Sequence, residues 1–332
     1  MKSVAWLPAG RDACALYRML IPSMHTQNSS FILSEGMMPL EEFVDVDVTV
    51  VQRIATKGNL EAIKIMHQCG MRVVFDLDDN VWSIPKYNPA QQAYETIKEG
   101  IGVCALEADV LTVSTQALKD AVIKYVPEFK KRRVEVIPNA VDFDYFQPKV
   151  MYPDRLFTVG WGGTNTHSED TRKVFDCVAS VVKDRNDIRF ETVGLPMPEK
   201  LKDHKRAATR EYVPVAEYAA RLASWGWDLF IAPLEYNEFN RSKSNIKILE
   251  AACVGSPILV SDVGEYGKFC RMDKELQYLL CNSDTDWKRK IVELKNEPKH
   301  REALVLKMRK VVRQNFEAKT VAKQWRAVFE SA

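Results

Sequence analysis

The sequence lacks any apolar run long enough to cross a membrane. A transmembrane helix needs roughly 20 consecutive apolar residues, and polar or charged residues interrupt every apolar stretch of this 332-residue chain well before that length. The first residues, MKSVAWLPAGRD, also reach charge before an apolar region develops, which argues against a secretory signal peptide. These absences predict a soluble cytoplasmic protein.

The chain also has no C-x-x-C pair and no large excess of one charge. Its seven cysteines are odd in number, so we expect reduced thiols that lie mostly in the core. The formal net charge of +2 falls short of the basic balance expected of a dedicated duplex binder. The basic excess lies in the C-terminal half, which suits an anionic ligand held there.

What the sequence does have is a regular alternation of strand-like and helix-like segments. Apolar residues make up 46% of the chain and charged residues 28%, as in globular proteins, and the length suits two domains. Such alternation predicts parallel sheets with helices on both faces. The predicted strands are 3–7, 47–52, 72–77, 110–113, 134–138, 156–161, 188–193, 210–213, 229–233, 257–261 and 277–280.

Ligands of open parallel sheets bind beyond the carboxyl ends of the strands, so the residues there are candidates for a site. Gly10 follows the first strand and Arg18 lies on the next helix, although a plain turn and a surface helix are the alternative. The carboxylates Asp76, Asp78 and Asp79 follow the third strand. Such clustering is costly unless a cation, sugar hydroxyls or basic partners face it, so we expect a functional segment.

The run VVFDLDD permits two other interpretations. It resembles the opening of haloacid-dehalogenase-type phosphatases, in which a nucleophilic Asp is followed two residues later by an acid/base Asp, here Asp76 and Asp78. It also contains the D-x-D of single-domain metal-dependent glycosyltransferases. Both motifs are short, and the phosphatase motif normally lies near the chain start with Thr or Val where this chain has Asn80. Neither interpretation explains the C-terminal half.

The C-terminal half contains two candidate anion sites. Its first strand is followed, before a helix, by Gly162, Gly163, Thr164 and His167. Glycine there permits close approach of a phosphate, and a structural turn is the alternative. Residues 239–266 place small and basic residues at a helix start, whose unpaired N–H groups bind anions. Glu250 follows Ser244 by about 9 Å of helix, so one helix can hold a phosphate and a sugar hydroxyl; an ordinary capped helix is the alternative.

Several blocks of sequence, in order, resemble the group 1 glycosyltransferases of the two-domain GT-B fold. They are VVFDLDD, VIPNAVDFDYF, VGWGGTNTHSED and NRSKSNIKILEAACVGSPILVSD. The resemblance covers essentially the whole chain and is closest to small members from surface-polysaccharide clusters and phages. It implies an α/β protein with two Rossmann-like domains whose parallel sheets face each other across a cleft. The acceptor domain is expected at 1–148, joined by the C-terminal helix 317–332, and the nucleotide-sugar donor domain at 149–316.

The resemblance also implies how a nucleotide-sugar is held. Glu250 matches the family glutamate that bonds the ribose hydroxyls. Asn245 and Ile246 match the residues at the helix start whose backbone N–H groups hold the diphosphate. The base is expected near Tyr212 and Val213.

The chain departs from the family pattern at two places. Where relatives often carry a second glutamate, this chain has Ser242, which removes the usual contact to the donor sugar. Many relatives also place an Arg and a Lys after the first strand of the donor domain to neutralise the diphosphate. Here we expect Arg241, Lys243 or Lys247 to supply that charge.

The expected reaction moves a sugar from a nucleotide-diphosphate-sugar to a hydroxyl acceptor. Breaking the sugar–phosphate bond makes the diphosphate more negative, so positive groups and N–H donors fixed beside it lower the barrier, and no metal or cofactor is expected. The resemblance implies retention at the anomeric carbon. The expected catalytic residues are Asp76, Asp78, Asp79 and Lys243, of which Asp78 or Asp79 contacts the sugar or accepts the acceptor proton.

The expected acceptor is a glycan or a lipid-linked sugar. In a phage setting it is a hydroxymethylated base in DNA, for which the basic run 200–210 offers a track along phosphates, unless that run is a solvated loop. The basic run 129–133 offers peripheral membrane contact. A catalytically decayed nucleotide-binding module is a further alternative, suggested by Ser242.

Overall fold

Two parallel sheets, each of six strands, form the framework of the protein. The structure is a computed structural model that describes residues 2–32 and 45–331. The strands of the first sheet are β1 (Val4–Leu7), β2 (Ser29–Phe31), β3 (Val48–Gln52), β4 (Arg72–Leu77), β5 (Val110–Val113) and β6 (Val134–Val136). Those of the second sheet are β7 (Phe157–Gly162), β8 (Ile188–Val193), β9 (Ala207–Arg210), β10 (Leu229–Ala232), β11 (Ile258–Ser261) and β12 (Leu280–Cys281).

Helices cover the faces of both sheets. Those of the N-terminal half are α1 (Ala13–Ala15), α2 (Ile21–His25), α3 (Lys57–Gln68), α4 (Gln91–Glu107) and α5 (Gln116–Tyr125). Those of the C-terminal half are α6 (Ser168–Asp184), α7 (Val215–Trp225), α8 (Glu238–Arg241), α9 (Ile246–Val254), α10 (Gly264–Cys270), α11 (Asp284–Asn296), α12 (Pro298–Asn315) and α13 (Ala318–Ser331).

The strand order determines where ligands can bind. The first sheet runs β2-β1-β3-β4-β5-β6 and the second β12-β11-β10-β7-β8-β9, and every pairing is parallel. The order of the second sheet is that of a Rossmann domain, with its switch point between β7 and β10. The first sheet switches between β1 and β3. Crevices outside the carboxyl ends of strands at such points are the usual ligand sites of α/β sheets.

Strands that are buried on both faces follow the predicted bounds most closely. β4, β5 and β8 coincide with the predicted strands 72–77, 110–113 and 188–193. Their residues are buried almost without exception, because strands of parallel sheets covered by helices are near-continuous apolar runs. The predicted α/β class with two parallel sheets is confirmed.

The short edge elements differ from the prediction. β2 has no counterpart among the predicted strands, because two serines and a half-exposed phenylalanine make no apolar pattern. β9 ends at Arg210, where the prediction has a strand begin. The predicted strand 277–280 is largely a 3₁₀ helix, Glu275–Leu279, ahead of the two-residue β12. β2 and β9 are short and partly exposed, and β12 has only two residues, so apolar periodicity marks these edge strands weakly.

The C-terminal helix α13 packs on the N-terminal half. The Trp325 ring meets Trp6 of β1 edge-on with 5.0 Å between centroids, and Phe329 meets the same ring at 5.6 Å. A parallel bridge between Val141 and Glu317 leads the chain into this helix. Burial of these aromatic rings contributes to fixing the two halves relative to each other. The domain boundaries at 148 and 316 stay a prediction.

The cysteines are free thiols, and most are core residues, as the sequence predicts. Those that are buried are Cys104, Cys177, Cys253, Cys270 and Cys281. Cys14 is half-buried and Cys69 is exposed. No helix in residues 2–32 and 45–331 has the length and apolarity of a membrane span.

Candidate active site

Loops that follow strands of the first sheet contact loops that follow strands of the second across a polar cleft. Hydrogen bonds or ion pairs join Tyr17 to Glu250, Asp79 to Lys243, Asn80 and Thr115 to Ser242, Asn88 to Thr166, and Asn139 to Ser244. At the rim, Tyr87 meets Glu235, and Lys124 and Tyr125 meet Glu238. The cleft therefore brings together the carboxylate run of the N-terminal half and the helix start of the C-terminal half.

Glu250 lies at the centre of this cleft and is only 2% exposed. Its Oε1 accepts the hydroxyl hydrogen of Tyr17 at 2.5 Å. Its Oε2 accepts from the Tyr218 hydroxyl at 3.0 Å and from Lys247 Nζ at 3.2 Å. Burial, followed by the charge of Glu250, raises the pKa of both tyrosines well above the usual value. Both phenols therefore remain protonated and donate to the carboxylate.

The start of α9 presents backbone and side-chain donors to the same cleft. Asn245 is the N-cap residue and makes no side-chain hydrogen bond to the helix. Ser244 Oγ accepts from Asn139 Nδ2 of the N-terminal half at 2.8 Å. Lys243 Nζ lies 3.4 Å from Asp79 Oδ1 and 4.4 Å from the centroid of Phe239. An uncapped helix start beside a lysine is an arrangement suited to an anion.

The other basic residues of this segment face different partners. Lys247 contacts Glu250 and lies 3.4 Å from the Tyr218 hydroxyl. Arg241 is exposed and stacks over Tyr236, 5.6 Å from the ring centroid. Of the candidate cations, Lys243 is therefore the one that spans the cleft. Ile246 begins α9 and is half-buried.

Ser242, the position where relatives carry a glutamate, is buried within the cleft. It is 2% exposed, and its Oγ donates to the Glu238 carbonyl at 3.0 Å. Its own carbonyl accepts from Thr115 Oγ1 at 2.8 Å. Asn80 Nδ2 approaches the Ser242 hydroxyl at 3.5 Å. Ser242 thus joins the two halves instead of presenting a carboxylate.

The loop after β7 lies at the switch point of the second sheet and carries Thr164 and His167. His167 Nδ1 lies 2.8 Å from Asp170 Oδ2. Asp170 also accepts from the Glu235 N–H and from Asn240 Nδ2, at 2.8 and 2.7 Å. Burial lowers the pKa of His167 despite the bond to Asp170. The neutral imidazole therefore carries its hydrogen on Nδ1, which leaves Nε2 as an acceptor.

Close packing explains the glycines at positions 163 and 194 but not Gly162, the last residue of β7. A Cβ on Gly163 would lie 2.8 Å from the Trp161 ring, whereas one on Gly162 would make only ordinary contacts. Gly194 has φ +78°, and a Cβ there would lie 2.0 Å from the Gly163 carbonyl oxygen. The Tyr212 ring lies beside Gly194 and is 65% exposed, and Val213 packs on the core. The predicted base-binding residues thus border the β7 loop.

Replacing Gly194 with alanine is expected to destabilise the protein by about 2–4 kcal/mol, because a Cβ both clashes with the Gly163 carbonyl and meets a left-handed backbone. The measurement is the urea midpoint compared with that of Gly10→Ala, where an added Cβ meets nothing within 4 Å. Equal midpoints would show that Gly194 does not constrain the β7 loop.

Asp76 and Arg18 form a buried bidentate pair. Arg18 Nε donates to Oδ2 at 3.0 Å and NH2 to Oδ1 at 2.6 Å, and Thr112 Oγ1 donates to Oδ1 at 2.7 Å. Arg18 also donates through NH1 to the Ile137 carbonyl at 2.5 Å and to Asn139 Oδ1 at 3.2 Å. Both side chains are at most 1% exposed. Asp76 and Arg18 are therefore already engaged with each other and do not present free groups to the cleft.

Asp78 and Asp79 have a different environment from Asp76. Oδ1 of Asp78 is buried and has no hydrogen-bond partner among the described residues, and its nearest cation is Arg53, at 3.7 Å. Burial raises the pKa of Asp78, against the effect of Arg53 and with that of Asp79. The Asp79 side chain is 27% exposed beside Lys243. These two carboxylates, rather than Asp76, have capacity left for chemistry.

Parts of both basic runs are engaged in contacts within the protein. In the run 200–210, Lys200 pairs with Asp176 and Arg210 with Glu191. Phe129, in the other run, is 2% exposed and belongs to the core. Within the described part of the chain, no group of three or more His, Cys, Asp or Glu side chains is arranged to hold a metal ion.

Several residues of the cleft are not among the sequence candidates, and those with the most direct role in its geometry are Tyr17, Tyr218, Asn139 and Asp170. Tyr17 precedes Arg18 on the helix after β1, and Asn139 lies in the block IPNAVD, so both stand in segments that the sequence marks. Tyr218 and Asp170 lie on ordinary amphipathic helices. Their relation to the site arises only through partners distant in sequence.

Comparison with known proteins gives one family match and several solved structures with a similar fold. Residues 172–327 match the model of a family described as glycosyl transferase-like. No curated protein sequence matches the chain. Among solved structures, Anabaena HepE in complex with UDP and glucose is similar over 100% of both chains, with a TM-score of 0.72 and 12% identity.

Two further structures are similar. Sucrose-phosphate synthase from Thermosynechococcus elongatus matches over 100% of both chains, with a TM-score of 0.67 and 13% identity. A mutant of S. aureus TarM, in complex with fondaparinux, alpha-GlcNAc-glycerol and UDP, has a TM-score of 0.63 and 15% identity. That match covers 87% of this chain but only 57% of the TarM chain. At such identities these likenesses establish the fold, which is GT-B, and the glycosyl transferase-like match covers residues 172–327 in the second half of the chain.

Proposed function

We propose that the protein transfers a sugar from a UDP-sugar to a hydroxyl group of a glycan acceptor. The observation that carries this proposal is the placement of Lys243, Ser244 and Glu250 around one helix start, each in contact with the opposite half of the chain. Uridine is proposed as the nucleoside because the similar HepE and TarM structures contain UDP.

The proposed donor grip uses groups of α9 and the segment before it. The diphosphate takes the N–H groups of Asn245 and Ile246, where no side chain caps the helix and the helix dipole favours negative charge. Lys243 and Lys247 supply the positive charge that relatives place after the first strand of the donor domain. Glu250 accepts hydrogen bonds from the ribose hydroxyls, and the base lies beside Tyr212.

The proposed chemistry follows from charge development. As the sugar–phosphate bond breaks, the diphosphate gains negative charge, and Lys243 and the α9 N–H groups stabilise it. These groups supply the charge that a metal ion otherwise supplies, so the reaction is proposed to be metal-independent. Asp78 and Asp79 lie across the cleft, where they can contact the transferred sugar or take the acceptor proton. Retention, with the acceptor entering on the leaving-group face, completes the proposal.

A glycan acceptor is favoured over DNA. The basic run 200–210, which a DNA track needs, has its arginines engaged: Arg206 donates to the Val182 carbonyl and Arg210 pairs with Glu191. The phosphatase alternative has less support, because its nucleophile would be Asp76, whose two oxygens already accept from Arg18 and Thr112. A lipid-linked sugar offers the same hydroxyl chemistry as a free glycan.

Replacing Lys243 with methionine is expected to lower kcat for sugar transfer about a hundredfold, because one donor aimed at the leaving group is worth on the order of 3 kcal/mol. The measurement is UDP release from a panel of UDP-sugars with neutral glycosides as acceptors. Lys268→Met is the matched control, since Lys268 is exposed and pairs with Glu265 on α10. Equal rates for the two variants would contradict the proposed donor site.

A further inference from the structure

Both carboxylate oxygens of Glu250 accept hydrogen bonds from side chains of the protein itself. Tyr17 donates to Oε1, while Tyr218 and Lys247 donate to Oε2. With Glu250 only 2% exposed, a ribose can reach this carboxylate only if one of these groups moves. The identity of the group that moves decides how the two halves of the chain take part in donor binding.

The two tyrosines belong to different halves of the chain. Tyr218 lies on α7 and packs edge-on against Trp225, with 6.1 Å between centroids. Its bond to Glu250 therefore lies wholly within the C-terminal half and does not depend on the cleft. Tyr17 lies 233 residues before Glu250 in sequence and reaches it from the N-terminal half.

The segment around Tyr17 is built differently from an ordinary helix. Residues Leu16–Leu20 form a π-helical turn between α1 and α2, a feature that is frequent at functional sites. The Tyr17 ring stacks on Phe146 at 6.1 Å with an interplanar angle of 6°. The ring packing does not depend on the hydroxyl, so removal of the hydroxyl alone is expected to leave the packing intact.

We infer that Tyr17 and Tyr218 act in opposite directions on donor binding. Tyr17 holds the place of a ribose hydroxyl on Glu250 Oε1 and leaves that place as the nucleotide enters. Tyr218 is a positioning residue that fixes the carboxylate for the ribose. This inference rests on the proposed function, because it requires that Glu250 be the ribose ligand.

The chemistry of the exchange is balanced. A phenol and a ribose hydroxyl are both neutral O–H donors, so one can replace the other on a carboxylate oxygen without transfer of charge or proton. The one hydrogen bond that Tyr17 makes to Glu250 is broken in this exchange. The nucleotide consequently loses part of its intrinsic affinity to this competition, and it also releases one of the contacts between the two halves.

The test is a set of tyrosine-to-phenylalanine variants titrated with UDP by calorimetry, with GDP and ADP measured alongside. Tyr17→Phe is expected to bind UDP about five- to tenfold more tightly, because a competing charge-assisted hydrogen bond is gone. Tyr218→Phe is expected to bind about tenfold more weakly. Tyr278→Phe is the matched control, since Tyr278 donates to Glu293 at 2.7 Å outside the cleft, and its affinity should stay within about twofold of wild type.

A second nucleotide distinguishes competition at the ribose from a general change of the protein. The gain in affinity of Tyr17→Phe is expected to be smaller with 2′-deoxy-UDP, because this nucleotide lacks one of the hydroxyls that donate hydrogen bonds to Glu250. If Tyr17→Phe does not fold, as judged by its melting curve, Tyr17→Met keeps an apolar side chain without the hydroxyl and takes its place.

The outcomes separate this inference from the proposed function. Unchanged or weaker UDP binding by the Tyr17 variant, or tighter binding by Tyr218→Phe, overturns the inference while wild-type UDP binding leaves the proposed function standing. If wild type binds none of the three nucleotides, the proposed function fails and the inference fails with it.

Discussion

Replacing Glu250 with alanine is expected to reduce kcat/KM for sugar transfer by about thirtyfold or more, and to weaken UDP binding to a similar degree. Removal of a buried charged partner typically costs 2–5 kcal/mol, which corresponds to roughly 1.5 to 3.7 powers of ten. The ribose hydroxyls lose their acceptor, and Tyr17, Tyr218 and Lys247 are left without the carboxylate that receives their hydrogens. The measurements are steady-state transfer from a UDP-sugar and calorimetric titration with UDP.

Two control variants make this result interpretable. Glu293→Ala removes another glutamate that accepts from a tyrosine, Tyr278, but it lies outside the cleft and should leave transfer unchanged. Glu250→Gln keeps the shape and one acceptor oxygen, so its loss should be smaller than that of alanine. If Glu250→Ala and Glu293→Ala have equal kcat/KM, Glu250 is not the ribose ligand. Because the alanine variant also leaves buried donors unpaired, its melting temperature must be recorded at the same time.

Replacing Arg18 with methionine is expected to lower the free energy of unfolding by about 3–5 kcal/mol. Breaking a buried ion pair leaves an uncompensated charge in the interior, and Asp76 is 0% exposed. The arginine also donates to the Ile137 carbonyl and to Asn139, which in turn bonds Ser244 across the cleft. Urea denaturation followed by circular dichroism measures the loss, and UDP binding should weaken together with stability.

The double variant Arg18→Met with Asp76→Leu provides the sharper comparison. A buried pair replaced on both sides by apolar residues is often nearly neutral in stability, so the double variant should recover most of what the single variant loses. Arg72→Met is the control on the same strand as Asp76, because Arg72 and Asp109 form a half-exposed pair and such pairs contribute about 0–1 kcal/mol. A stability loss no larger than that of Arg72→Met would show that the pair does not stabilise the fold.

The pairing of Asp76 also bears on the choice between the proposed glycosyltransferase and the phosphatase alternative. A phosphatase that uses Asp76 as nucleophile needs that carboxylate free to attack phosphorus. In this structure Asp76 accepts two bonds from Arg18 and one from Thr112, as a structural carboxylate does. The sequence places Asp76 among the catalytic candidates because a run of carboxylates cannot reveal which member is paired. Asp78 and Asp79, which lie beyond the end of β4, keep the features expected of site residues.

The fold could be predicted largely from the sequence because its signals are local. Buried strands such as β4 and β8 are apolar runs that period and length identify, and helix ends such as that of α7, closed by Gly226 at φ +58°, are marked by their own residues. β2 could not be predicted, since an edge strand of two serines and one phenylalanine owes its conformation to pairing with β1. β9 ends at Arg210, where the predicted strand begins, because its position too is set by pairing with a neighbouring strand, β8.

Some features of the candidate site could likewise be predicted from the sequence, and others could not. The segment with Lys243, Ser244 and Glu250 could be singled out from its residue types and spacing, although an ordinary capped helix has the same spacing, and α9 itself begins only at Ile246. The capture of Glu250 by Tyr17 could not be predicted, since no sequence signal connects residues 233 positions apart. Nor could the engagement of Arg18 by Asp76, which removes both from the set of free site residues.

The sequence by itself determined the α/β class and the pair of parallel sheets, and it predicted the α9 start as a candidate anion site. These inferences follow from periodicity, turn residues and helix termini, each of which acts within a few residues of the chain. Only the tertiary structure decided which carboxylates are engaged and which are not. That choice depends on which hydrogen-bond donors the folded halves bring within about 3 Å of a given oxygen, and Tyr17 and Tyr218 reach Glu250 from elements distant in sequence.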